Sequence, residues 1–571
     1  MLARSSRYSL LTWHFFRRFL DNDLISPNGD GRVGFSHTIA AMITPGLLVV
    51  MMVILKYGLL WRPKWERVLE MSLSDGLLYV SLSMIVLGLA ATITWDAFFL
   101  DARDRYILAV LPVPERLLSA AKLGALCLFL ALFVLAVNLV PSLIVPPMML
   151  SGLKAEAVLA HAGALMLGHA LSVCLAGAWS VLAVVALRGL LALILPARLF
   201  QRVSPLVQGV LILAFLGWTI SLSPFLDAAP GVVDAGGPAR DFSPPMWFFG
   251  LYQAIIGNPH PAFPALARTA FEATAATALL VLVIFLAPRQ RRGEHLASAS
   301  AAGSRGPLAR VRMTAARLAL RHPVGRASFD FTLTTMGRST KHRLYLAGAL
   351  GAGLAWAVTG LVLEFARAGR AALGTTIPST PALQVQFVLV LFLVVAMRFG
   401  VLVPANLPAN WLFRITERRP VGAYFAGARR AALAIGLLPV VALCPVSAAA
   451  WTWQVAFQHA VLGALYAVFI VELFFNGLAK VPCTATYVSG QLKLKSRAVY
   501  YLFGAIVLTG LPALLESLAF RGRLGILTLP LWLLALSAIL AAARWRKERK
   551  LPGLVFDDSN DEAVQTLGLS G

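Results

Sequence analysis

The stretch WDAFFLDARDRYILAVLPVPERLLSAAKL, residues 95–123, lies between two runs that are apolar enough to cross a membrane. It is dense in Asp, Arg and Glu, too polar to enter lipid and too long for a tight turn. Asp101 and Arg105 are four residues apart, so they can pair on one helical face. Pro112 and Pro114 then break that helix before the next one begins. The pattern predicts a structured polar segment between two spans; a solvated loop whose charges satisfy one another is the alternative.

The composition on either side of this segment is that of a membrane protein. Of the 571 residues, 59% are hydrophobic and 13% are charged, and the mean hydropathy is +0.77. A run of about 20 apolar residues spans the hydrocarbon, and by this criterion the chain contains about twelve spans. The runs are continuously apolar and do not alternate, which excludes a barrel and predicts helices. The predicted spans are residues 36–55, 75–95, 120–145, 160–187, 207–225, 269–287, 344–363, 384–403, 428–448, 457–477, 499–518 and 525–543.

The formal net charge of +24 is distributed in a way that predicts topology. Arg and Lys gather in alternate loops, which the positive-inside rule assigns to the cytoplasm. Both termini are therefore predicted in the cytosol of a multi-pass membrane protein. Basic loops also suit anionic lipid headgroups, whereas no folded basic domain is present to bind nucleic acid. The four cysteines match no zinc spacing, and we predict no metal site.

Several features of the chain occur twice. A basic spacing of i, i+7 and i+11 precedes both the first and the seventh span, as Arg7, His14, Arg18 and as Arg310, Arg317, Arg321. Each set lies on one helical face and predicts an amphipathic helix in the membrane interface. Residues 111–128 are similar to 418–435, and residues 199–213 to 494–508, in matching topological places.

The predicted fold is thus an all-α integral membrane protein built of two parallel six-helix repeats, each preceded by an amphipathic interfacial helix. Residues 1–292 form the first predicted half and residues 308–550 the second. A basic linker rich in Gly, Ser and Ala, residues 293–307, separates them, and residues 551–571 form a cytosolic acidic tail.

Ionisable residues inside predicted spans are functional candidates. The clearest are His169 in the fourth span and Glu472 in the tenth. A proton relay would use such groups. The alternative is that they are hydrogen-bonded between helices, with Asn138, Gln208 or Asn476 as partners. The chain carries no phosphate-binding loop and no hydrolase or metalloprotease motif, so we predict neither an enzyme nor a bound cofactor.

The chain resembles the ABC-2 type of ABC transporter permease. The resemblance rests on the amphipathic helix before the first span, the six spans in each half and the charged segment that ends in LPVPERLLSAAK, residues 111–122. The stretch RHPVGRASFDFTLTTMGRSTKHRLYLAGAL, residues 321–350, is similar to the middle of fused bacterial permeases of this type. This resemblance implies a location in the bacterial inner membrane.

The resemblance implies that the segment between the second and third spans of each half is a coupling helix, seated in a groove of a separate cytosolic ABC ATPase that binds the ATP. The implied coupling residues are Asp101, Asp104, Arg105, Tyr106, Leu108, Glu115, Arg116, Trp411, Arg414, Arg418 and Arg419. The second element lacks the Asp pair of the first and is more basic, so the two coupling helices need not bind the ATPase equally strongly.

The resemblance also implies short re-entrant helices that cap an outer gate between the fifth and sixth spans. In the first half this connection is long and Pro-rich, and Trp247, Phe248 and Tyr252 are the gate candidates. An aromatic belt at the interface explains Trp247 and Phe248 equally well.

The expected function is therefore that of a permease subunit, an exporter of a small molecule or lipid that the sequence does not identify. A proton-coupled secondary carrier of the twelve-span type is the alternative. Residues 101–110 resemble the acidic-basic loop of such carriers but lack its glycines. An enzyme acting on a lipid-linked sugar would need paired carboxylates, and Asp227, Asp234 and Asp241 are predicted to lie on a loop too rich in Gly and Pro to fix them.

Overall fold

The computed structural model describes most of the chain in helices and turns. The described residues are 2–20, 65–99, 113–151, 153–220, 222–286, 320–368, 378–403, 421–478, 481–483, 494–551, 553 and 554, with isolated residues between 43 and 57 and at 314 and 317. Within these ranges no strand occurs, and the chain divides into two compact units, Met1–Ala301 and Ala302–Gly571. The boundary falls within the predicted linker, residues 293–307, which itself lies outside the described residues.

Nine α-helices with defined bounds lie among the described residues of unit 1. They are α1 Leu2–Leu20, α2 Trp65–Ile93, α3 Glu115–Met149, α4 Ala155–Ile194, α5 Ala197–Ile220, α6 Leu222–Ala235, α7 Pro238–Asp241, α8 Pro244–Ile255 and α9 Ala262–Leu286. A 3-10 turn, Trp95–Phe98, follows α2. Helix α4 is central, since α2, α3, α8 and α9 all pack against it, and α1 lies along α3. The core of this unit is therefore built around one long apolar helix.

Unit 2 contains seven described α-helices. They are α10 Pro323–Arg338, α11 Thr340–Ala368, α12 Thr380–Leu402, α13 Gly422–Ala450, α14 Trp453–Phe474, α15 Leu494–Phe520 and α16 Thr528–Arg549. Helix α12 is central and contacts α11, α13, α14 and α15. Its residues Phe387, Leu391, Val394 and Met397 recur every three or four positions, and all four are buried in the core.

Nine of the described helices are long and apolar enough to cross a membrane, which confirms the all-helical, multi-pass character predicted from the sequence. Shorter apolar helices cover Val203–Thr219 and Tyr345–Leu361, at the predicted fifth and seventh spans. The first predicted span, 36–55, lies largely outside the described residues, and those that are described there are helical. The total of about twelve spans, the parallel repeat and the interfacial position of the amphipathic helices stay predictions.

Two local expectations were wrong. Arg321 was predicted on an amphipathic helix, but it lies in a bend before α10. Residues that precede proline avoid the helical region, so the chain turns at His322, whose ring accepts from the Val324 amide, and α10 begins at Pro323.

The three aspartates of the connection between the fifth and sixth spans were expected on an irregular loop. Asp227 and Asp234 instead lie on α6, and Asp241 ends α7. Pro238 begins α7, where its missing N–H costs no hydrogen bond. Gly236 and Gly237, both with positive φ, separate α6 from α7.

Candidate functional site

The two predicted coupling segments, residues 101–116 and 411–419, lie almost entirely outside the described residues. This holds for Asp101, Asp104, Arg105, Tyr106 and Leu108 in the first segment and for Trp411, Arg414, Arg418 and Arg419 in the second. Glu115 and Arg116 are the first two residues of α3, and Arg116 is exposed. The coupling role stays a prediction, and the described residues are those of the helices that flank the two segments.

The helix ends around the first coupling segment are fixed by buried contacts. Trp95, just after α2, is fully buried, and its indole nitrogen donates to Ser204 Oγ at 3.0 Å. The Nζ atom of buried Lys122, on α3, lies 4.6 Å from the ring centroid of Phe15 and 5.0 Å from that of Phe19, both on α1. Aromatic faces attract such a cation strongly when water is excluded. The segment therefore begins and ends at well-packed points of unit 1.

Four charged side chains, Arg429, Glu472, Arg544 and Glu548, form an ionic network that joins α13, α14 and α16. Arg544 donates to Glu472 through Nε at 2.8 Å and Nη2 at 3.2 Å, and to Glu548 at 3.4 Å. Arg429 donates to the other oxygen of Glu548. These side chains are only 9% to 16% exposed. The network lies near the start of α13, the helix that follows the second coupling segment.

His169 has different surroundings from Glu472. It is buried on α4, and neither ring nitrogen has a hydrogen-bond partner among the described residues. Its ring meets Tyr79 and Tyr252 edge-on, at centroid distances of 4.9 and 6.2 Å. The three polar residues suggested as partners bond to other groups: Asn138 to Val134, Gln208 to Thr92 and Asn476 to Lys547. The two intramembrane candidates are therefore held in different ways.

Helix α8, which carries the three gate candidates, is too short to cross a membrane. Its 12 residues extend about 18 Å, against a hydrocarbon thickness of about 30 Å. It nevertheless packs against α2, α4 and α9, and Phe248 and Tyr252 are fully buried. Trp247 is half-buried and donates from its indole nitrogen to the Asp241 carbonyl at 2.7 Å. Helix α8 is therefore a short, buried helix that packs against three candidate membrane spans.

Polar contacts and one close approach fix α8 against α2. Gln253 Nε2 donates to the Ser72 carbonyl at 3.0 Å, and both side chains are fully buried. A Cβ atom at Gly76 would lie 2.5 Å from the Tyr252 ring, so only glycine permits this contact. The position of α8 against α2 therefore depends on these particular side chains.

An apolar cleft of about 200 Å³ lies beside the start of α8. Residues of α2, α4, α5 and α8 line it, among them Met84, Trp179, Phe215, Trp218 and Pro244. Its walls expose almost no polar atoms, so the groups that fit it are hydrocarbon or aromatic.

Two intramembrane ionic sites were not singled out from the sequence. In unit 1, Asp75 accepts from Lys56 Nζ at 2.6 Å and from Tyr57 Oη at 2.5 Å. In unit 2, His459 Nδ1 lies 2.9 and 3.0 Å from the two carboxylate oxygens of Glu516. Each group lies at or within a predicted span, so an inventory of all ionisable residues there would have found it; the pairing requires the tertiary structure.

In comparisons with known proteins, no family model, no curated protein and no solved structure matches the chain.

Proposed function

We propose that this chain is the membrane-spanning permease of an ABC transporter, an exporter driven by a separate cytosolic ATPase. The sequence resemblance supports this proposal, and so does the short helix α8. A re-entrant helix is expected between the fifth and sixth spans of such a permease, and α8 is a buried helix in that connection.

The proposed mechanism requires the coupling segments to transmit movement of the ATPase to the spans. The first segment connects α2 to α3, whose ends are held by Trp95 and Lys122. The second precedes α13, which the ionic network connects to α14 and α16. Movement of either segment would therefore reach several helices at once, as rocking of packed elements.

Reversal of charge in the first coupling segment tests this function. Asp104→Lys combined with Glu115→Lys is expected to weaken co-purification of the ATPase about tenfold or more, because docking surfaces depend on charge complementarity. Arg418→Glu combined with Arg419→Glu is expected to have a smaller effect. Glu70→Lys is the matched control, since Glu70 is exposed and, among the described residues, pairs with Arg67 at 3.6 Å. Full association and full substrate-stimulated hydrolysis in every variant would refute the proposal.

The proton-coupled carrier is retained as the second candidate because of one observation. His459 and Glu516 form an ion pair that is buried between two membrane-spanning helices, where ionisable groups are costly and commonly serve transport. Proteoliposomes that contain the chain alone distinguish the two functions. Proton flux driven by a pH gradient without any ATPase would favour the carrier, and its absence, together with ATP-dependent export in the presence of the partner, would favour the permease.

A further inference from the structure

The pair formed by His459 and Glu516 is the most deeply buried ionic contact among the described residues. Its side chains are 3% and 4% exposed, and the imidazole Nδ1 lies within 3.0 Å of both carboxylate oxygens. His459 lies in the second turn of α14, and Glu516 lies one turn before the end of α15. The contact therefore joins two candidate membrane spans of the same unit.

Uncharged groups surround the pair. Phe387 on α12 and Trp451 after α13 each present a ring edge-on to His459, at centroid distances of 5.8 Å. Gln386 Nε2 donates to the His459 carbonyl at 2.8 Å, an approach that Gly463 permits because any Cβ there would collide with the amide. The pair is thus enclosed by aromatic and amide groups.

The charged residues of α12, α13 and α16 lie at the ends of those helices that are away from the pair, whereas Arg521 and Arg523 lie just beyond the end of α15 that carries Glu516. On α12 this is Arg398, which donates to the Phe474 carbonyl at the far end of α14. On α13 they are Arg429 and Arg430, near its start, and on α16 they are Arg544, Arg546, Lys547, Glu548 and Arg549, near its end. Lys495 and Arg497 begin α15, and Arg521 and Arg523 follow it in an exposed turn. No ion pair among the described residues joins a third charge to His459 or Glu516.

Burial restricts the charge that the pair can hold. With no proton the pair carries one negative charge, and with two protons it carries one positive charge. With one proton its net charge is zero, whether the proton lies on the imidazole or on the carboxyl group, and a shared proton belongs to the pair. Because a net charge is costly at a buried intramembrane site, the state with one proton is favoured.

We propose that His459 and Glu516 form an intramembrane binding site for a single proton. An ATP-driven permease does not require a bound proton, so this site goes beyond the proposed function. The proposal is the same whether ATP or a proton gradient drives transport. Loss of the proton leaves an uncompensated carboxylate between α14 and α15, so any movement that separates these helices is linked to proton binding.

Proton linkage provides a test that does not require the substrate or the ATPase. In the unfolded chain, Glu ionises near pH about 4.3 and His near about 6.5, so above about pH 7 the unfolded pair holds no proton. The folded pair retains one. The unfolding equilibrium constant of the full-length protein in detergent, measured by reversible SDS titration, should therefore rise about tenfold per pH unit between pH 7 and 8.5. The double variant His459→Gln with Glu516→Gln should lack this component.

The single variants have opposite expected slopes. In His459→Gln the buried Glu516 must stay protonated, so stability falls as pH rises above about 4.3. In Glu516→Gln the buried His459 must stay neutral, so stability falls as pH drops below about 6.5. His260→Gln is the matched control, because His260 pairs with Asp234 at 3.5 Å where that aspartate is 75% exposed, and it should leave every slope unchanged.

Where unfolding is irreversible, or a single variant does not fold, a pH-sensitive dye can instead measure the protons released on unfolding by the wild-type protein and by the double variant. Wild-type protein should release about one proton more than the double variant at pH 8. Equal release by the two proteins, or equal slopes between pH 7 and 8.5, would overturn the proposal and leave a neutral imidazole hydrogen-bonded to an ionised carboxylate. Loss of the wild-type slope when sodium replaces choline in the buffer would also overturn it, since the site would then be a cation site rather than a proton site.

Discussion

The two units differ in how the helices at their last two predicted spans are connected. In unit 1, the connection between α5 and α9 forms three helices, and the last of them, α8, packs between α2 and α4. In unit 2, a turn at residues 521–527 joins α15 directly to α16. Unit 1 therefore fills its interior with an inserted aromatic helix, whereas unit 2 joins its helices with ionic contacts. The spacing of apolar runs along the sequence therefore does not predict whether extra helices or a short turn connect two spans.

The difference has an energetic consequence. The contacts of α8 are mainly apolar and hydrogen-bonded, so their strength depends on shape and surface area. The ionic contacts of unit 2 place opposite charges in partly buried positions, where loss of one partner leaves the other without compensation. The ionic network of unit 2 should therefore be sensitive to removal of one charge, and the packing of α8 in unit 1 to added volume.

The largest effect is expected from Glu548→Gln in unit 2. Glu548 bonds to both Arg429 and Arg544, so this change removes one of the two carboxylates that balance the two arginines of the network. We expect a loss of about 3 kcal/mol in the free energy of unfolding. SDS titration in detergent measures this loss. Glu272→Gln, which breaks the exposed pair between Arg268 and Glu272, is the control and should leave stability unchanged. Equal stability of the two variants would contradict a supporting role for the ionic network.

Gly76→Ala tests the shape-dependence of unit 1. The added methyl group would lie 2.5 Å from the Tyr252 ring, so α8 must shift, and a loss of about 2 kcal/mol is expected. Gly217→Ala, on α5, is the control, since no heavy atom lies within 4 Å of a Cβ there. If the two variants unfold at the same SDS concentration, α8 is not seated as tightly as its contacts indicate.

Asp75→Asn is expected to cost less than either change. Lys56 is 39% exposed and can be solvated when it loses the carboxylate, while the Asn oxygen still accepts from Tyr57. We expect a loss of about 1 kcal/mol, measured in the same SDS titration. A loss as large as that of Glu548→Gln would show that the two units respond alike to removal of a charge.

The smallest effect concerns reactivity rather than stability. Burial raises the pKa of the Cys483 thiol to about 12, so at pH 8 roughly one thiol in ten thousand is ionised. Maleimide should modify Cys483 only after unfolding in SDS. Mass spectrometry of the modified peptide measures this, and Cys483→Ser is the control. Rapid modification of Cys483 in the folded protein would show that this part of unit 2 opens.

The sequence predicts the helices well because apolar runs are local. The eighth predicted span, residues 384–403, corresponds to helix Thr380–Leu402, and the fourth, residues 160–187, lies within Ala155–Ile194. Pairing between helices is not local, so neither the bond from Arg544 to Glu472 nor that between His459 and Glu516 was predicted.

The aromatic residues of α8 illustrate the same limit. Trp247 and Phe248 carry apolar character that fits an interfacial belt as well as a buried helix. Only the packing against α2 and α4 distinguishes these alternatives, because it places Phe248 out of solvent. The coupling residues depend instead on a partner surface, which the composition of one chain does not specify.

The contact between Lys122 and the rings of Phe15 and Phe19 has a consequence for biosynthesis. Helix α1 leaves the ribosome roughly 100 residues before Lys122 does, which corresponds to about 5–20 s of translation. During that interval its aromatic face lacks its partners on α3, and the boundary between headgroups and acyl chains is an apolar surface available to it. The nascent chain would then be tethered to the bilayer before its third predicted span is made, and insertion of α3 would exchange a lipid contact for a protein contact.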